Sequence, residues 1–378
     1  MKRFFSSTPV QPLPAGVYHK QSGPQEEIPY RIHLRLQPDG AGILVVNAAT
    51  VMHLNPTAAE YAFHFIKGHS AEGAARQVSS RYRVSRSQAI QDFRDFAARV
   101  ETLATTPDLD PVAYLDLDRV SPHSVTLTAP LRLDCALTYR LPSGANPDYA
   151  PTKRVERELS TQQWSEVLQK AWSFGIPHVT FTGGEPTLRD DLVELIRQAE
   201  RIGQVCGLLT DGLRLADRSY LNELLQSGLD HLLFILQPDL ADSWKSIETI
   251  LPEDIFTTVH LTITPGEAPR ATAHMEKLAS LGCKSLSLSF ADPSIPMGML
   301  SNTASVLGLS LKHDLPVPYS ADNPVSRETS EDEVLDGAGR AWLYVEPDGD
   351  VLPSQGMPGK ILGNILRDNW ETIYRPES

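Results

Sequence analysis

The stretch Phe181-Thr-Gly-Gly-Glu-Pro-Thr-Leu-Arg189 decides how this chain is read. It follows a short apolar run at 178–182 and precedes an amphipathic segment at 192–202, so it makes the turn from a strand into a helix. Two glycines let the backbone pass close to a ligand. The glutamate sets a carboxylate at the strand's C-terminal edge, where parallel α/β folds bind their ligands.

Outward from this turn, further apolar runs at 131–139, 205–210, 231–236, 257–263 and 285–290 are each short and bounded by turn residues. Amphipathic segments at 161–174, 192–202, 220–225, 241–250 and 271–281 lie between the six runs. Repeated strand–helix units predict parallel βα architecture, and periodicity leaves both an open doubly wound sheet and a partial barrel standing. After about 315, a loop rich in Pro, Ser and Asp leads to a small β unit at 341–353, a Leu362-Gly-Asn-Ile-Leu string and a short helix through Trp370, Ile373 and Tyr374.

The N-terminal part follows a different pattern. Residues 1–27, rich in Pro, Ser and Gly, read as a mobile arm. Residues 28–104 read as two short strands, 31–37 and from Ile43, followed by three helices. Ser70 caps the second helix and Ser85-Arg-Ser-Gln opens the third as a capping box. Residues 105–128 read as a linker, 129–315 as the βα region and 316–378 as the C-terminal region.

With 34 Lys and Arg against 47 Asp and Glu, the 378 residues carry a formal charge of −13. That argues against a general nucleic-acid binder, which needs a basic footprint. No apolar run approaches the ~18–20 residues of a membrane span, and the start lacks the apolar stretch of a secretory signal, so a cytoplasmic protein is expected. Cys135, Cys206 and Cys283 are too widely spaced for a local zinc or iron–sulfur motif and read as buried, reduced thiols. No HExxH, P-loop, nucleophile elbow or GxGxxG occurs. His178, His231 and His260 read as core or boundary residues, and the acidic run at 327–334 reads as a solvated face.

The Thr-Gly-Gly-Glu-Pro string after the second parallel strand resembles the radical S-adenosylmethionine (SAM) superfamily. Ala136-Leu-Thr-Tyr-Arg140 is similar to that family's lead-in to its cluster loop, and Thr210-Asp-Gly212 to its Thr-Asn-Gly. The resemblance covers about 128–315. It implies a partial (βα)6 barrel in which Thr182, Gly183, Gly184, Glu185 and Pro186, with Asp211 nearby, form the loop that holds the SAM amino group. The family's next feature is Cys-x3-Cys-x2-Cys, three thiolates for a [4Fe-4S] cluster. Here those positions fall on Leu141, Ala145 and Asp148. Leu and Ala carry no donor, and Cys135, six residues upstream, cannot stand in for three ligands. The region around Asp336-Gly-Ala-Gly-Arg and through Ser354 looks like the SPASM/twitch extension, which expects cysteines near Asp336 and at Ser354. The expectation is therefore a protein with no iron–sulfur cluster and no cofactor requirement, with residual SAM binding left open.

Residues 28–104 resemble the pyrroloquinoline-quinone peptide-chaperone family, the RiPP recognition element. The resemblance rests on Val51-Met-His-Leu-Asn-Pro-Thr-Ala-Ala-Glu60, Gly68-His-Ser-Ala-Glu and Arg81-Tyr-Arg-Val-Ser-Arg-Ser-Gln-Ala. It implies a winged-helix-like domain that takes a leader peptide as an added strand. The edge expected for it is Ile43, Leu44, Val45 and Val46, with Arg86, Arg94 and Arg99 of the third helix facing acidic leader residues.

The sequence thus points to an α/β chain: a partial (βα)6 barrel of radical-SAM type, an N-terminal winged-helix-like domain and a degenerate SPASM/twitch-like β unit. The leading expectation is a scaffold, chaperone or regulatory partner that binds a precursor leader peptide and works beside an active modification enzyme. An enzyme that reuses the barrel mouth for non-radical chemistry, with Glu185 and Asp211 as first carboxylates, is the alternative. A winged-helix transcription regulator is the third reading.

Overall fold

The computed structural model describes residues 12–23, 25–47, 50–106, 109–115, 126–155, 157–291, 297–312, 315–328 and 336–375. Residues 1–11 and 24 of the expected arm, 107–108 and 116–125 of the expected linker and 329–334 of the acidic run lie outside them. The chain divides into two compact units, one of residues 1–128 with 173–177, the other of 129–172 and 178–378.

In the first unit β1 (Gly16–Gln21), β2 (Arg31–Leu36), β3 (Gly42–Val46) and β4 (Thr50–Leu54) form an antiparallel sheet in that order. Helices α1 (Pro56–Ile66), α2 (Ala71–Arg81) and α3 (Arg86–Thr105) follow, then a short α4 (Pro111–Leu115). Alternation in β2 turns Ile32, Leu34 and Leu36 into one core with Leu44, Val46, Ala62, Phe65, Val78 and Phe93. The Asn55 side chain accepts from the Ala58 amide with Pro56 in the first helical turn, and Ser70 accepts from Gly73, caps worth about 1 kcal/mol each. Ser85 caps α3 through the Gln88 amide, but the Gln88 side chain bonds to Asp92, so only half of the expected capping box forms.

Two expectations are corrected here. Residues 16–21, assigned to a mobile arm, are β1, paired with β2 from Gly16↔Leu36 to Gln21↔Arg31. Ile43, Leu44, Val45 and Val46, expected to be the open edge, lie in β3, which pairs with β2 on one side and β4 on the other. Their backbone groups are committed to both neighbours, so a peptide strand cannot add there. Among the described residues the outer strands of this sheet are β1 and β4.

The second unit is built on a ten-stranded sheet. Strands β5 (Arg132–Thr138), β6 (His178–Gly183), β7 (Val205–Thr210), β8 (His231–Ile235), β9 (Phe256–Ile263), β10 (Ser285–Phe290) and β11 (Ser310–Lys312) are all parallel and lie side by side in chain order. The helices α5 (Thr161–Ser173), α6 (Leu192–Ile202), α7 (Arg218–Gln226), α8 (Ala241–Ile250), α9 (Ala271–Ser280) and α10 (Met297–Val306) alternate with them. A doubly wound sheet reverses its strand order at a switch point. This one does not, which settles the alternative that periodicity left open in favour of a singly wound, barrel-like arrangement.

On the other side of β5 the sheet continues through β12 (Trp342–Val345), which is parallel to β5, and the antiparallel β13 (Asp350–Leu352) and β14 (Gly363–Asn364); α11 (Trp370–Ile373) closes the chain. The C-terminal region, expected as a separate small β unit, therefore extends the main sheet. Among the described residues no helix is long and apolar enough to cross a membrane.

Candidate functional site

Where β6 ends, the sheet is drawn tight. Register shifts between Ala136 and Thr138 of β5, opposite Gly183. Gly183 has φ +133°, and a Cβ there would lie 2.1 Å from the Thr138 carbonyl oxygen; one at Gly184 would lie 2.3 Å from that of Arg140. The amides of Gly184 and Glu185 donate to those same carbonyls at 2.8 Å each. The glycine pair is thus required by the neighbouring strand.

This geometry delivers Glu185 into a crowded polar nest. Its Oε1 accepts from the Thr187 amide (2.9 Å), the Thr187 hydroxyl (2.6 Å) and the Thr210 hydroxyl (2.8 Å). Oε2 accepts from the Asp211 amide at 2.8 Å. Glu185 is 3% exposed, so water contributes little and the protein donors fix the rotamer. Burial, reinforced by the Asp211 charge and opposed by the Thr187 hydrogen bonds, raises its pKa to about 8. Burial also raises Asp211, whose Oδ1 accepts from the Leu213 amide at 3.0 Å. Oε2 of Glu185 makes one bond here and keeps a lone pair for another donor.

Behind this nest, Arg189 is 8% exposed and ties β5 to the following turn, donating to the carbonyls of Leu137 (3.2 Å) and Leu159 (3.1 Å) and to Asp191. Arg214 donates to the Thr187 carbonyl and lies 4.0 Å from the Tyr220 ring centroid. Thr182 and Pro186 are buried near Glu185 in the chain.

Glu185, Gly184 and Asp211 line a cavity of about 480 Å³. One wall is the 141–149 loop, with Leu141 and Ala145. A second comes from the ends of β7 and β8, with Leu213, Ile235, Gln237 and Leu240, and a third is the 318–322 segment with Tyr319 and Asp322. The expected loop residues are thus brought together with Asp211. Leu240, Tyr319 and Asp322 are additions the sequence did not signal.

The other expected positions scatter. Asp148 points outward, its side chain 72% exposed and 3.4 Å from Lys153. Leu141 packs on a cluster that contains Ala136, Tyr139 and Tyr344. Asp336, also largely exposed, pairs with Arg340 at 2.9 Å, while Ser354 is buried at a smaller cavity of about 210 Å³. Cys135, Cys206 and Cys283 are free and buried, as expected, and burial pushes the Cys135 thiol well up. Among the described residues no three His, Cys, Asp or Glu side chains come together as a metal site. In the first unit Arg86, Arg94 and Arg99 are all exposed on α3, and Arg94 pairs with Glu72 at 3.1 Å.

Comparison with known proteins adds to this geometry. A sequence model of the Radical SAM superfamily matches residues 135–238, from β5 to just beyond β8. The PqqA peptide cyclase of Methylobacterium nodulans is 27% identical over 287 residues, covering 65% of this chain and 74% of its own. That of Ruegeria pomeroyi is 29% identical over 266 residues, covering 61% and 68%. Among solved structures, Streptococcus suis SuiB bound to its precursor peptide SuiA superposes with TM-score 0.59 at 14% identity, over 91% of this chain and 87% of that one. The same protein bound to S-adenosylmethionine also gives 0.59 at 14% identity, over 94% and 88%. The chain has a radical-SAM-like α/β fold with a parallel sheet.

These findings correct two expectations. A purely scaffolding protein does not stand against a family match over the stretch that builds the cavity and against relatives named as cyclases. Nor does the expectation of no cofactor, since the superfamily whose sequence model matches residues 135–238 implies SAM and a [4Fe-4S] cluster. The side chains here differ in how they suit those two groups. The spare acceptor of Glu185 and the apolar walls fit an ammonium and an adenosyl group. Leu141, Ala145 and Asp148 do not fit a thiolate-held cluster.

Proposed function

We propose that this chain is a SAM-binding enzyme that modifies a ribosomally made peptide at the cavity beside Glu185. The observation that carries the reading is the Glu185 carboxylate. Four hydrogen bonds hold it at the C-terminal edge of the sheet, with its remaining acceptor available to a ligand in the cavity. An ammonium is the donor it suits, because a positive charge favours the ionised carboxyl against the cost of burial. SAM supplies an activated sulfonium when bound. Asp211 stands next to Glu185 with its pKa raised, suited to take a proton from a peptide group entering the cavity. Leu213 and Ile235 give the cavity apolar walls beside the two carboxyls.

The peptide reading draws on the relatives, named as cyclases of the peptide PqqA, and on SuiB, solved with its precursor peptide. In the first unit we read β2–β4 with α1–α3 as a winged-helix-like peptide-recognition module. Its receiving edge is then β4 rather than β3, because β1 covers the outer side of β2. Arg86 and Arg99 on α3 are exposed cations suited to acidic leader side chains.

The test is titration of the purified protein with SAM by calorimetry, with Glu185→Gln as the control, followed by mass analysis of a co-expressed precursor peptide. Saturable SAM binding that Glu185→Gln weakens at least tenfold, with a peptide mass change that depends on Asp211, supports the reading. Absence of SAM binding by the wild type overturns it.

A further inference from the structure

The 141–149 loop and the 315–328 segment face each other across the larger cavity, and a side chain that lines neither cavity ties them together. Arg154, just beyond that loop, donates from Nη1 to Oε1 and Oε2 of Glu328 at 3.1 and 3.0 Å and from Nη2 to Oε1 at 3.0 Å. Its Nε donates to Oε1 of Glu346, at the end of β12, at 2.7 Å. One guanidinium thus joins two carboxylates from segments that are distant in sequence. The side chains of Glu328 and Glu346 are 14% and 3% exposed. Neither carboxylate can be left to water if the guanidinium is withdrawn.

The residue these bonds position is Tyr319. Its hydroxyl donates to Glu328 and lies 3.4 Å from Nη2 of Arg154, and its backbone amide donates to the Gly183 carbonyl at 2.9 Å. Its ring meets Tyr139 edge-on at 5.5 Å, and the Tyr139 hydroxyl donates to Glu346 at 2.8 Å. Tyr319 is 3% exposed and lines both the larger cavity and the smaller one that contains Ser354 and Trp342. It is the partition between them.

We propose that Arg154 is a positioning residue: its clasp on Glu328 and Glu346 holds Tyr319 as the partition between the two cavities and fixes the wall against which a ligand on Glu185 packs. Lysine at 154 could keep the charge but not the fork, since a single ammonium cannot reach both carboxylates in the same planar geometry. The identity of that ligand as SAM rests on the reading above; the clasp itself does not.

Amide hydrogen exchange on the full chain tests it in the wild type, Arg154→Lys, Glu328→Gln and Tyr319→Phe, with SAM titrated into each. The expected result is a loss of protection of at least tenfold in both 141–149 and 315–323 for Glu328→Gln and Arg154→Lys, with β5–β8 unchanged. Tyr319→Phe, which keeps the ring, is expected to lose less. SAM dissociation constants should rise at least tenfold in the first two variants. Unchanged protection in either segment, or a loss spread evenly through β5–β8, overturns the clasp. If Arg154→Lys does not fold, Glu328→Gln decides. If the wild type takes no SAM, the SAM reading fails, while exchange still decides the clasp.

Discussion

The backbone amide of Asp211 donates to Oε2 of Glu185 across 2.8 Å, so the end of β7 supports the carboxylate that the end of β6 presents. Because burial holds Glu185 near pKa 8, an incoming ammonium must draw off a proton at neutral pH. SAM binding should therefore release up to one proton per site near pH 7 and tighten as pH rises towards 8. Calorimetry in buffers of different ionisation enthalpy reads this directly, and a buffer-independent heat would contradict it.

The same group sets a stability slope in the unliganded protein. The folded state keeps the Glu185 proton up to about pH 8, whereas the unfolded chain releases it near 4.5. Between those values the folded state binds more protons, so this contribution to stability is present at low pH and is lost as pH rises through the window. Glu185→Gln should flatten that slope. Denaturant midpoints at pH 5, 6.5 and 8 in both proteins measure it.

A second pair pulls in the opposite direction. His178 and His231 face each other Nε2 to Nε2 at 2.6 Å, and burial lowers both, His231 to about 4. The unfolded chain takes up these protons below about 6.5 and the folded state resists, so stability should fall as pH drops from 6.5 to 4. His231→Gln should reduce that acid lability in thermal melts across the range. An unchanged pH profile would show that the two imidazoles take up protons in the folded state as readily as in the unfolded chain.

Crowding at the end of β6 predicts the effect of adding a single methyl group. Gly184→Ala would place Cβ 2.3 Å from the Arg140 carbonyl oxygen and 3.0 Å from that of Tyr139, both backbone atoms. Overpacking of this kind costs about 1–3 kcal/mol and should displace Glu185 with its strand. A drop in the urea midpoint together with weaker SAM binding is expected. Gly298→Ala in α10, where nothing lies within 4 Å of a Cβ and the backbone is helical, serves as the control for space.

How far these features could be read from sequence follows from how local they are. Residues 181–189 announced themselves, because a tight strand-to-helix turn leaves its glycines and its carboxylate adjacent in the chain. β4 is half-buried along its whole length with no alternation of burial, so the sequence pattern shows two strands before α1 and leaves out the one that pairs with the far side of β3. β1 was hidden in a Pro-rich stretch, where its pairing with β2 leaves no periodic mark. Arg154 and Glu328 are separated by 174 positions, and nothing near either one signals that they meet.

The first unit offers its own test of strand addition. If a leader peptide adds to β4, amide exchange from Thr50 to Leu54 should slow when the peptide is present, while β3, already bonded on both sides, should not change. Protection appearing on β1 instead would move the recognition edge to the other side of the sheet.

The most direct measurement of the central claim is a calorimetric titration of the intact protein with SAM at pH 8, beside Glu185→Gln. One saturable site per chain is expected in the wild type, and an at least tenfold weaker one in the variant. Equal affinities, or no heat from the wild type, would contradict it.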